Sequence, residues 1–552
     1  MLLARVYGKL LLCSDWLVLV LLVILCIVYT YRFVPLSSLP FEDAAILMRY
    51  AVHLAQGHGI VWNVGEPPVD GGTDFLFLVV MASLIRLGMS AEMAARTIGF
   101  ISHLLSVLIV YQANRVLWQM PKWLAVFCAL YLMVGPGLAY VSAHFGTPFF
   151  ALSALVTWVL TLRLSEKEPT HALSIAFAIV GLITALIRPE GVILVTLMTC
   201  TILLTQGLKH GKLPLMYVLF TFVFLGGLYF IWRWNYFGHP LPNPFYKKGG
   251  GLLYPDSLRS SLYNVRDLVG LFLLAFPLSL HSRLTLRRMI AYALPVFGFA
   301  SSFILISDEM NFEARFQYVV LPIVLVCWYP LVRDYANLIN VNALSKRQKA
   351  ALLFGATFLA LFVLHLFSSR SRWAGFPADG RYDIANQLSA FSEKRYTMAV
   401  SEAGLLPFYS KWTAVDTWGL NDHWIATSGG ITESYLDRYR PHVIMFHAHF
   451  SPFVPPDMNR GHGDRRRRVA WNKMTLLLQQ YAKSRNYILA AAYGDSPYSV
   501  HYYYVRSDFP DSRLIVEIVR NTEYKYYTSG RTAINYALLQ LEKTNSGYLS
   551  RR

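Results

Sequence analysis

An adjacent acidic pair, Glu42 and Asp43, is the feature of the sequence best suited to acid–base chemistry. A carboxylate beside a reacting hydroxyl group can accept its proton. The pair opens a polar stretch, residues 41–73, and the spacing after Pro40 predicts a short helix. Acidic residues at a helix start also satisfy free N–H groups and complement the helix dipole. The pattern therefore leaves two interpretations open, a general base and a helix cap.

Helical spacing distinguishes the two carboxylates. Asp43, Ile46 and Tyr50 fall on one face of the predicted helix. The side chain of Glu42 points about 100° away, so the two carboxylates cannot both face one hydroxyl group unless the backbone bends. We therefore expect Asp43 to be the general base. Glu42 is expected to orient the acceptor or a cation such as Arg49.

Two further stretches carry charge between apolar segments. The segment ALIRPEG places Arg188 and Glu190 around a proline, and charges at such a position are costly and tend to mark function. The alternative is an internal ion pair that closes a broken helix. The segment YFGHPLPNPFYKK combines turn prolines with Asn243, Lys247 and Lys248, which suits a phosphate-binding loop. It also suits an interfacial belt of aromatic and lysine side chains.

A last pair, Asp308 and Arg315, flanks the outer mouth of an apolar segment and could also be an ordinary surface pair. We expect a group of cations to hold a substrate phosphate. They are Arg188, Arg233, Lys247 and Arg315. The other side chains expected to bind substrate are Arg49, Asn63, Glu66, His144, Glu190, Asn243 and Asp308.

The composition identifies a membrane protein. Of 552 residues, 55% are apolar and 15% charged, and the mean hydropathy is +0.40, which is high for a soluble protein. The net charge of +18 suits anionic lipid, phosphate or acidic glycan partners, although basic loops that orient a membrane protein account for part of it. The sequence has no zinc-ligand spacing, P-loop or dinucleotide fingerprint. We therefore expect no metal, no cofactor and no nucleic-acid partner.

Apolar segments predict a polytopic α-helical protein with about eleven transmembrane helices. Basic residues collect in alternate short loops, which places the N-terminus in the cytoplasm and the loop of residues 36–92 outside. Residues 75–88 are short for a crossing and are predicted to lie in the interface. The predicted spans are 15–34, 93–113, 121–140, 147–164, 171–187, 191–206, 213–232, 264–280, 287–305, 317–333 and 348–367.

The last part of the chain differs in composition. Mixed charge and short alternating strands predict a soluble α/β domain at 371–552, after a membrane module at 1–370. All five cysteines lie in apolar segments of the module, so this domain holds no disulfide. An odd number of spans places it outside, beside the acidic loop.

Two features of this domain have competing interpretations. Its RRRR run (465–468) and its YSVHYYYVRS segment suit an acceptor-binding face, but also a solvated charge run and an ordinary strand. The segment PHVIMFHAHF carries three histidines, and a metal site there is the least favoured interpretation.

Several stretches, in order along the chain, resemble a known family. They are EDAAILMRYAVHLAQGHGIVWNVGE with DGGTDFLF, LIRPEGV, YFGHPLPNPFYKK, DEMNFEARF and EAGLLPFYSKWTAVDTWGLND, and they cover residues 41 to about 425. The family is that of the GT-C fold glycosyltransferases that use polyprenyl-phosphate sugars. The resemblance is strongest to those like the mycobacterial terminal β-(1→2) arabinofuranosyltransferase.

The resemblance implies a catalytic acidic pair in the first external loop, matched by Glu42 and Asp43. It also implies a lipid-linked sugar donor that reaches the site from the membrane, and a small extracytoplasmic domain after the last span. The chain departs from the family at residues 144–148, HFGTP, where relatives often carry Gly-x-Glu-Thr. It departs again at Glu42, which replaces the first of two aspartates. These departures leave the sugar specificity open.

The sequence thus predicts a metal-independent, inverting glycosyltransferase of a bacterial inner membrane. It would move a sugar, such as arabinofuranose, from polyprenyl phosphate to an extracytoplasmic glycan or glycolipid acceptor, while the lipid tail lies between spans. A transporter or flippase of lipid-linked sugars is an alternative, but it would place charges at mid-bilayer and show repeated halves. A non-catalytic assembly subunit with this fold is another, which the acidic pair disfavours.

Overall fold

The computed structural model describes residues 2–35, 37–248, 250–279, 283–338, 378–461 and 463–541. The membrane module is built of helices that follow the apolar segments of the sequence. The first group comprises α1 (Leu2–Phe33), α2 (Glu42–Ala55), α3 (Phe75–Arg86), α4 (Ala91–Trp118), α5 (Lys122–Met133), α6 (Gly137–Ser142) and α7 (Thr147–Glu166).

The second group of helices completes the described part of the module. It comprises α8 (His171–Ile187), α9 (Gly191–Thr221), α10 (Gly227–Phe237), α11 (Asn243–Lys247), α12 (Pro255–Val269), α13 (Ala275–Leu278), α14 (Arg283–Ala293), α15 (Phe299–Ser301) and α16 (Val320–Leu338). Turns of π-helix lie at Phe222–Gly226 and Leu294–Gly298. Turns of 3₁₀-helix lie at Gly270–Leu274, Ser302–Ile304 and Phe312–Ala314.

The chain is a multi-pass membrane protein. Five helical segments of the described ranges are long and apolar enough to cross a bilayer, namely Asp15–Phe33, Ala91–Trp118, Lys122–Ser142, Thr147–Glu166 and Gly191–Phe237. Shorter apolar helices lie at Phe75–Arg86, His171–Ile187 and Val320–Arg333. The predicted span at 348–367 and the domain boundary at 370 lie outside the described residues.

The segment 191–237 is two helices rather than one rod. At 1.5 Å per residue, its 47 residues would extend to roughly 70 Å, more than twice the thickness of the hydrocarbon core. Gly207 breaks the segment, with φ 69° and ψ 175°. A methyl group on Gly211 would lie 3.4 Å from Leu203 Cα, so the chain doubles back here. This reversal supports the two separate spans predicted for the segment.

One predicted span is interrupted. The helix α12 ends at Val269, and Gly270 follows with φ 55° and ψ −128°, a conformation that suits glycine and does not continue an α-helix. A 3₁₀ turn and the short α13 complete the segment. The segment predicted as a span over 264–280 is therefore an interrupted helix instead of a continuous one, because apolar composition does not reveal the conformation of a single glycine.

The polar stretch after α1 forms the predicted short helix, because α2 begins at Glu42. The predicted second helix is α3, which packs against α2. Both helices share a hydrophobic core with the C-terminal domain, in which Met48 and Leu78 lie together with Val400 and Leu406. The domain is therefore docked directly on the loop that carries the acidic pair.

The C-terminal domain is an α/β unit. Its helices are α17 (Gly380–Leu388), α18 (Leu405–Ser410), α19 (His423–Thr427), α20 (Glu433–Tyr439), α21 (Arg465–Ser484) and α22 (Ser512–Asn521), with a 3₁₀ segment at Ser389–Lys394. Its strands are β1 (Thr397–Val400), β2 (Thr413–Asp416), β3 (Val443–Ala448), β4 (Ile488–Ser496), β5 (Ser499–Val505) and β6 (Ile534–Asn535).

These strands form a mixed sheet in the order β2-β1-β3-β5-β4-β6. The strands β2, β1 and β3 run parallel, and the remaining pairs are antiparallel. The central strand β3 is buried along its whole length, because its side chains alternate between two hydrophobic clusters. Met445 belongs to the cluster that reaches the membrane module, and Phe446 to the cluster on the opposite face.

Candidate active site

A cavity of about 710 Å³ lies between the membrane module and the C-terminal domain. Its charged lining from the module consists of Glu42, Asp43, Asp74, Arg188, Glu190, Lys248, Glu309 and Arg315. The domain contributes Asp379, Arg381, Glu402, Asp416, His447, His449, Arg467 and Arg468. Apolar side chains such as Ile46 and Phe316 complete the walls. This mixture suits an amphipathic anionic ligand.

Asp43 is bound by a cation from a distant part of the module. Arg315 Nη2 donates a hydrogen bond to Asp43 Oδ2 at 2.6 Å, although the two residues are 272 positions apart in the sequence. The guanidinium group of Arg315 lies 4.1 Å from the ring centroid of Phe145 and 5.0 Å from that of Phe316. These rings fix Arg315, and Arg315 in turn fixes the carboxylate of Asp43 at the cavity.

Glu42 faces the C-terminal domain. Its Oε1 accepts hydrogen bonds from the N–H of Gly404 and, at 3.2 Å, from the N–H of Leu405, where α18 begins. Its Oε2 lies 3.2 Å from Arg381 Nη1. Glu42 therefore holds the start of a helix in the domain, and its cationic partner is Arg381 instead of the expected Arg49.

Arg381 is the centre of a buried ion network. Its Nη1 donates to Glu402 Oε2 and its Nη2 to Asp379 Oδ2, each at 2.6 Å. Burial raises the pKa of Glu42 to about 7, because Arg381 is shared with two other carboxylates. Burial would also raise the pKa of Glu402, but Arg381 and two nearby histidines hold it well below its usual range. Glu402 is therefore the charged member of this pair of glutamates.

A second charged cluster lies where α8 meets α9. Arg188 Nη2 is 3.2 Å from Glu190 Oε1, and Arg188 Nη1 is 3.7 Å from Asp74 Oδ1. The guanidinium group of Arg188 lies 5.1 Å from the ring centroid of Phe316, the ring that also packs on Arg315. The shared ring places both arginines in the same part of the cavity wall. The internal Arg–Glu pair considered from the sequence is thus present, and it lines the cavity.

Further cations reach the cavity from both sides. Lys248 Nζ donates to the main-chain oxygen of Glu309 at 3.4 Å. Burial lowers the pKa of Lys248. From the domain, Arg467 Nε lies 3.7 Å from Glu309 Oε2. Glu309 therefore bridges the module and the arginine run at the start of α21, which is the RRRR segment of the sequence.

Three residues predicted to bind substrate lie at the interface between the first loop and the domain, and they are not part of the cavity lining. Arg49 is buried and donates to Pro407 O at 2.5 Å, to Trp412 O at 2.8 Å and to Asn63 Oδ1 at 3.0 Å. Asn63 Nδ2 in turn donates to Glu66 Oε2 at 2.9 Å. These contacts dock the domain on the first loop.

Two of the predicted phosphate-binding cations have other partners. Arg233 is paired with Asp70, and both side chains are largely buried. Lys247 Nζ lies 4.0 Å from the ring centroid of Trp418 in the domain. Neither cation belongs to the cavity lining formed by the described residues.

The remaining predicted residues lie near this lining. Asn243 Oδ1 is 2.7 Å from His423 Nδ1, so α11 is tied to the domain. His144 is buried and has a left-handed backbone, with φ 64°. The N–H of Asp308 donates to Ser257 Oγ at 3.2 Å.

Most of the charged residues that the domain contributes to the cavity were not predicted from the sequence. Glu402 lies in EAGLLPFYS, a stretch that carries the family resemblance, so a signal existed for it. Arg381 and Asp379 lie in ADGRYD, which has no recognisable motif. In the module, Asp74 ends the DGGTD string and was not singled out as a partner for Arg188.

Comparisons with known proteins concern the domain and the fold. A family model described as a domain of unknown function (DUF8728) matches residues 372–507. The sequence has no match among curated proteins. The structure is similar to the crystal structure of ArnT from Cupriavidus metallidurans in the apo state. The sequence identity is 13% and the TM-score 0.57, over 89% of this chain and 98% of ArnT.

The structure is also similar to the crystal structure of ArnT from Cupriavidus metallidurans bound to undecaprenyl phosphate. The sequence identity is 15% and the TM-score 0.54, over 89% of this chain and 98% of ArnT. The oligosaccharyltransferase of Archaeoglobus fulgidus in complex with Zn and sulfate aligns with 14% identity and a TM-score of 0.47, over 87% of this chain and 72% of that one. The likeness to ArnT shows that the chain has an ArnT-like fold.

Proposed function

We propose that this protein is an inverting glycosyltransferase that moves a sugar from a polyprenyl-phosphate donor to a glycan or glycolipid acceptor. The observation that carries the proposal is the contact between Asp43 and Arg315 at the cavity. A carboxylate that can accept a hydroxyl proton lies 2.6 Å from a cation that can hold a phosphate. The ArnT-like fold supports this class of enzyme, and the undecaprenyl phosphate bound to ArnT supports the class of donor.

In the proposed reaction, the acceptor hydroxyl oxygen attacks the anomeric carbon of the donor sugar. The bond from that carbon to the phosphate oxygen breaks, the phosphate leaves with the electron pair, and Asp43 accepts the hydroxyl proton. Arg315 and Arg188 stabilise the leaving phosphate. Arg315 Nε is buried and has no hydrogen-bond partner among the described residues, so it can donate to a ligand.

The acceptor enters from the domain's side of the cavity in this proposal, because Arg467 and Trp471 lie there and can contact an acidic glycan. The basic loops of the sequence support eleven spans in a bacterial inner membrane, with the acidic loop and the domain outside. The choice of arabinofuranose as the sugar rests on the family resemblance of the sequence stretches alone.

A donor panel tests the proposal. Purified protein in detergent is incubated with labelled polyprenyl-phosphate sugars, one at a time, together with cell-envelope acceptor. One donor should yield labelled acceptor and free polyprenyl phosphate in equal amounts. Movement of intact donors across liposome membranes without cleavage would indicate a flippase instead. The absence of both transfer and movement would indicate a non-catalytic subunit.

A further inference from the structure

Two histidines and a glutamate of the domain converge in the wall of the cavity. His447 Nδ1 lies 3.3 Å from Glu402 Oε1, and His501 Nε2 lies 3.2 Å from Glu402 Oε2. One ligand atom from each of the three side chains lies within 4.8 Å of the others. His447 on β3 is directly opposite His501 on β5, so the register of the sheet fixes both rings on one face.

The second nitrogen of each ring faces a hydroxyl group. His447 Nε2 lies 2.9 Å from Ser499 Oγ, and His501 Nδ1 lies 2.6 Å from Tyr524 Oη. When these hydroxyl oxygens accept the ring N–H groups, the nitrogens that face Glu402 carry free lone pairs. Metal-binding histidines use this arrangement, in which an outer partner fixes the tautomer.

One atom of the cluster has an ion-pair contact but no well-formed hydrogen bond. His501 is buried, and its Nε2 makes no hydrogen bond of normal geometry within the described part of the chain, although Glu402 is close. A buried polar nitrogen without a well-formed hydrogen bond is unfavourable, and a bound cation would remove this cost. Because His501 Nε2 points into the cluster, its incomplete hydrogen bonding is evidence for a ligand that does not depend on the residue types alone.

We propose that Glu402, His447 and His501 bind a transition-metal ion, with zinc as the best match. Two imidazoles and one carboxylate form a zinc site with a fourth position open for water or a ligand. Calcium and magnesium are disfavoured because they prefer oxygen ligands. Glu402 and His447 line the cavity, so the open position faces it. Arg381 remains bound to Glu402 Oε2 as the outer partner of the carboxylate.

The sequence does not reveal this site, because the ligands come from three separate elements and match no zinc spacing. Two of them lie outside PHVIMFHAHF, and that segment contributes only its second histidine, His447. The proposal therefore replaces the expectation that the chain binds no metal.

Metal content tests the site without reference to glycosyl transfer, so failure of one proposal leaves the other standing. The full chain, freed of its affinity tag, is stripped with chelator, loaded with zinc chloride, desalted and assayed for zinc by mass spectrometry. It should retain about one zinc ion per chain. Loading with cobalt should give the visible absorption of a four-coordinate site.

Single variants make the test specific. His447→Gln and His501→Gln keep polar side chains and should reduce the retained zinc at least tenfold. The matched control is His442→Gln, because His442 lies in the same segment but contacts the N–H of Thr397, and it should retain zinc like the wild type. Retention below about one tenth of an ion by the wild type would overturn the proposal. Equal retention by well-folded His501→Gln, judged by gel filtration, would also overturn it.

Discussion

Arg381 Nη1 lies 3.2 Å from Glu42 Oε2, so a buried polar contact joins the C-terminal domain to the first residue of α2. The neighbouring residue of that helix is Asp43, which faces the cavity. Docking of the domain and placement of the proposed base are therefore coupled through two adjacent residues. Arg381 also binds Asp379 and Glu402, which makes it the one cation that three of these carboxylates share among the described contacts.

The first prediction concerns Arg381. Arg381→Gln should destabilise the fold by about 3–5 kcal/mol, because it leaves buried carboxylates without their cation. The midpoint of thermal unfolding in detergent measures the loss. The control is Arg485→Gln, which breaks an exposed pair with Asp437 at 2.9 Å and should leave the midpoint nearly unchanged. Equal shifts in both variants would contradict a buried network around Arg381.

The second prediction concerns pH. Burial raises the pKa of Glu42 from 4.5 to about 7. An acid whose pKa rises on folding stabilises the fold in its protonated form, so this contribution is complete below pH 4.5 and is lost as the pH rises through 7. Glu42→Gln resembles the protonated form at every pH. Relative to wild type, its unfolding midpoint should therefore rise between about pH 5 and about pH 8. A constant difference between the two proteins would show that Glu42 does not titrate in this window.

The parts of the structure that could be predicted from the sequence depend on local patterns. Helix α2 begins at Glu42, as helical spacing after Pro40 predicted, and the apolar segments became helices because composition dictates burial in lipid. The break at Gly270 is also local, but it depends on a backbone angle that residue types alone do not fix.

The parts that could not be predicted depend on long-range contacts. Nothing near Glu42 in the sequence indicates that its partner is Arg381, since docking of a separate domain brings them together. The same holds for His447 and His501, which meet only through the pairing of β3 with β5. Arg49 was expected at the substrate because it is a charge near the membrane, yet main-chain oxygens of the domain satisfy it.

The third prediction concerns topology. Lys209 lies where the segment 191–237 reverses, Ser428 lies on the domain, and both residues are exposed. Each is replaced in a cysteine-free background, as Lys209→Cys or Ser428→Cys. A membrane-impermeant thiol reagent added to intact spheroplasts should label only Ser428→Cys, because basic loops stay in the cytoplasm. Both should be labelled after permeabilisation. Labelling of both sites in intact cells would contradict the eleven-span model.

The fourth prediction concerns the donor phosphate. Arg315→Gln removes one charge-assisted contact worth about 1.5–3 kcal/mol, so kcat/KM should fall roughly 10- to 150-fold with every acceptor tried. The control is Arg233→Gln, also an arginine paired with a carboxylate in a largely buried position but outside the cavity lining formed by the described residues. Its KM for the donor should stay near the wild-type value. If the two variants lost donor binding equally, the phosphate would have to lie nearer to Arg233.

The last prediction concerns Asp43 as the general base. Asp43→Asn keeps the shape of the side chain and can still accept the hydrogen bond from Arg315, but it cannot take up the acceptor proton. The rate should therefore fall by roughly 10²- to 10⁴-fold while donor KM and unfolding midpoint stay near normal. Glu42→Gln should cost less activity, because Glu42 binds α18 and Arg381 instead of facing a hydroxyl group. An active Asp43→Asn beside an inactive Glu42→Gln would reverse the two roles. Two active variants would leave the acidic pair with a purely structural task, and the base would have to be another carboxylate of the cavity, such as Asp74 or Glu190.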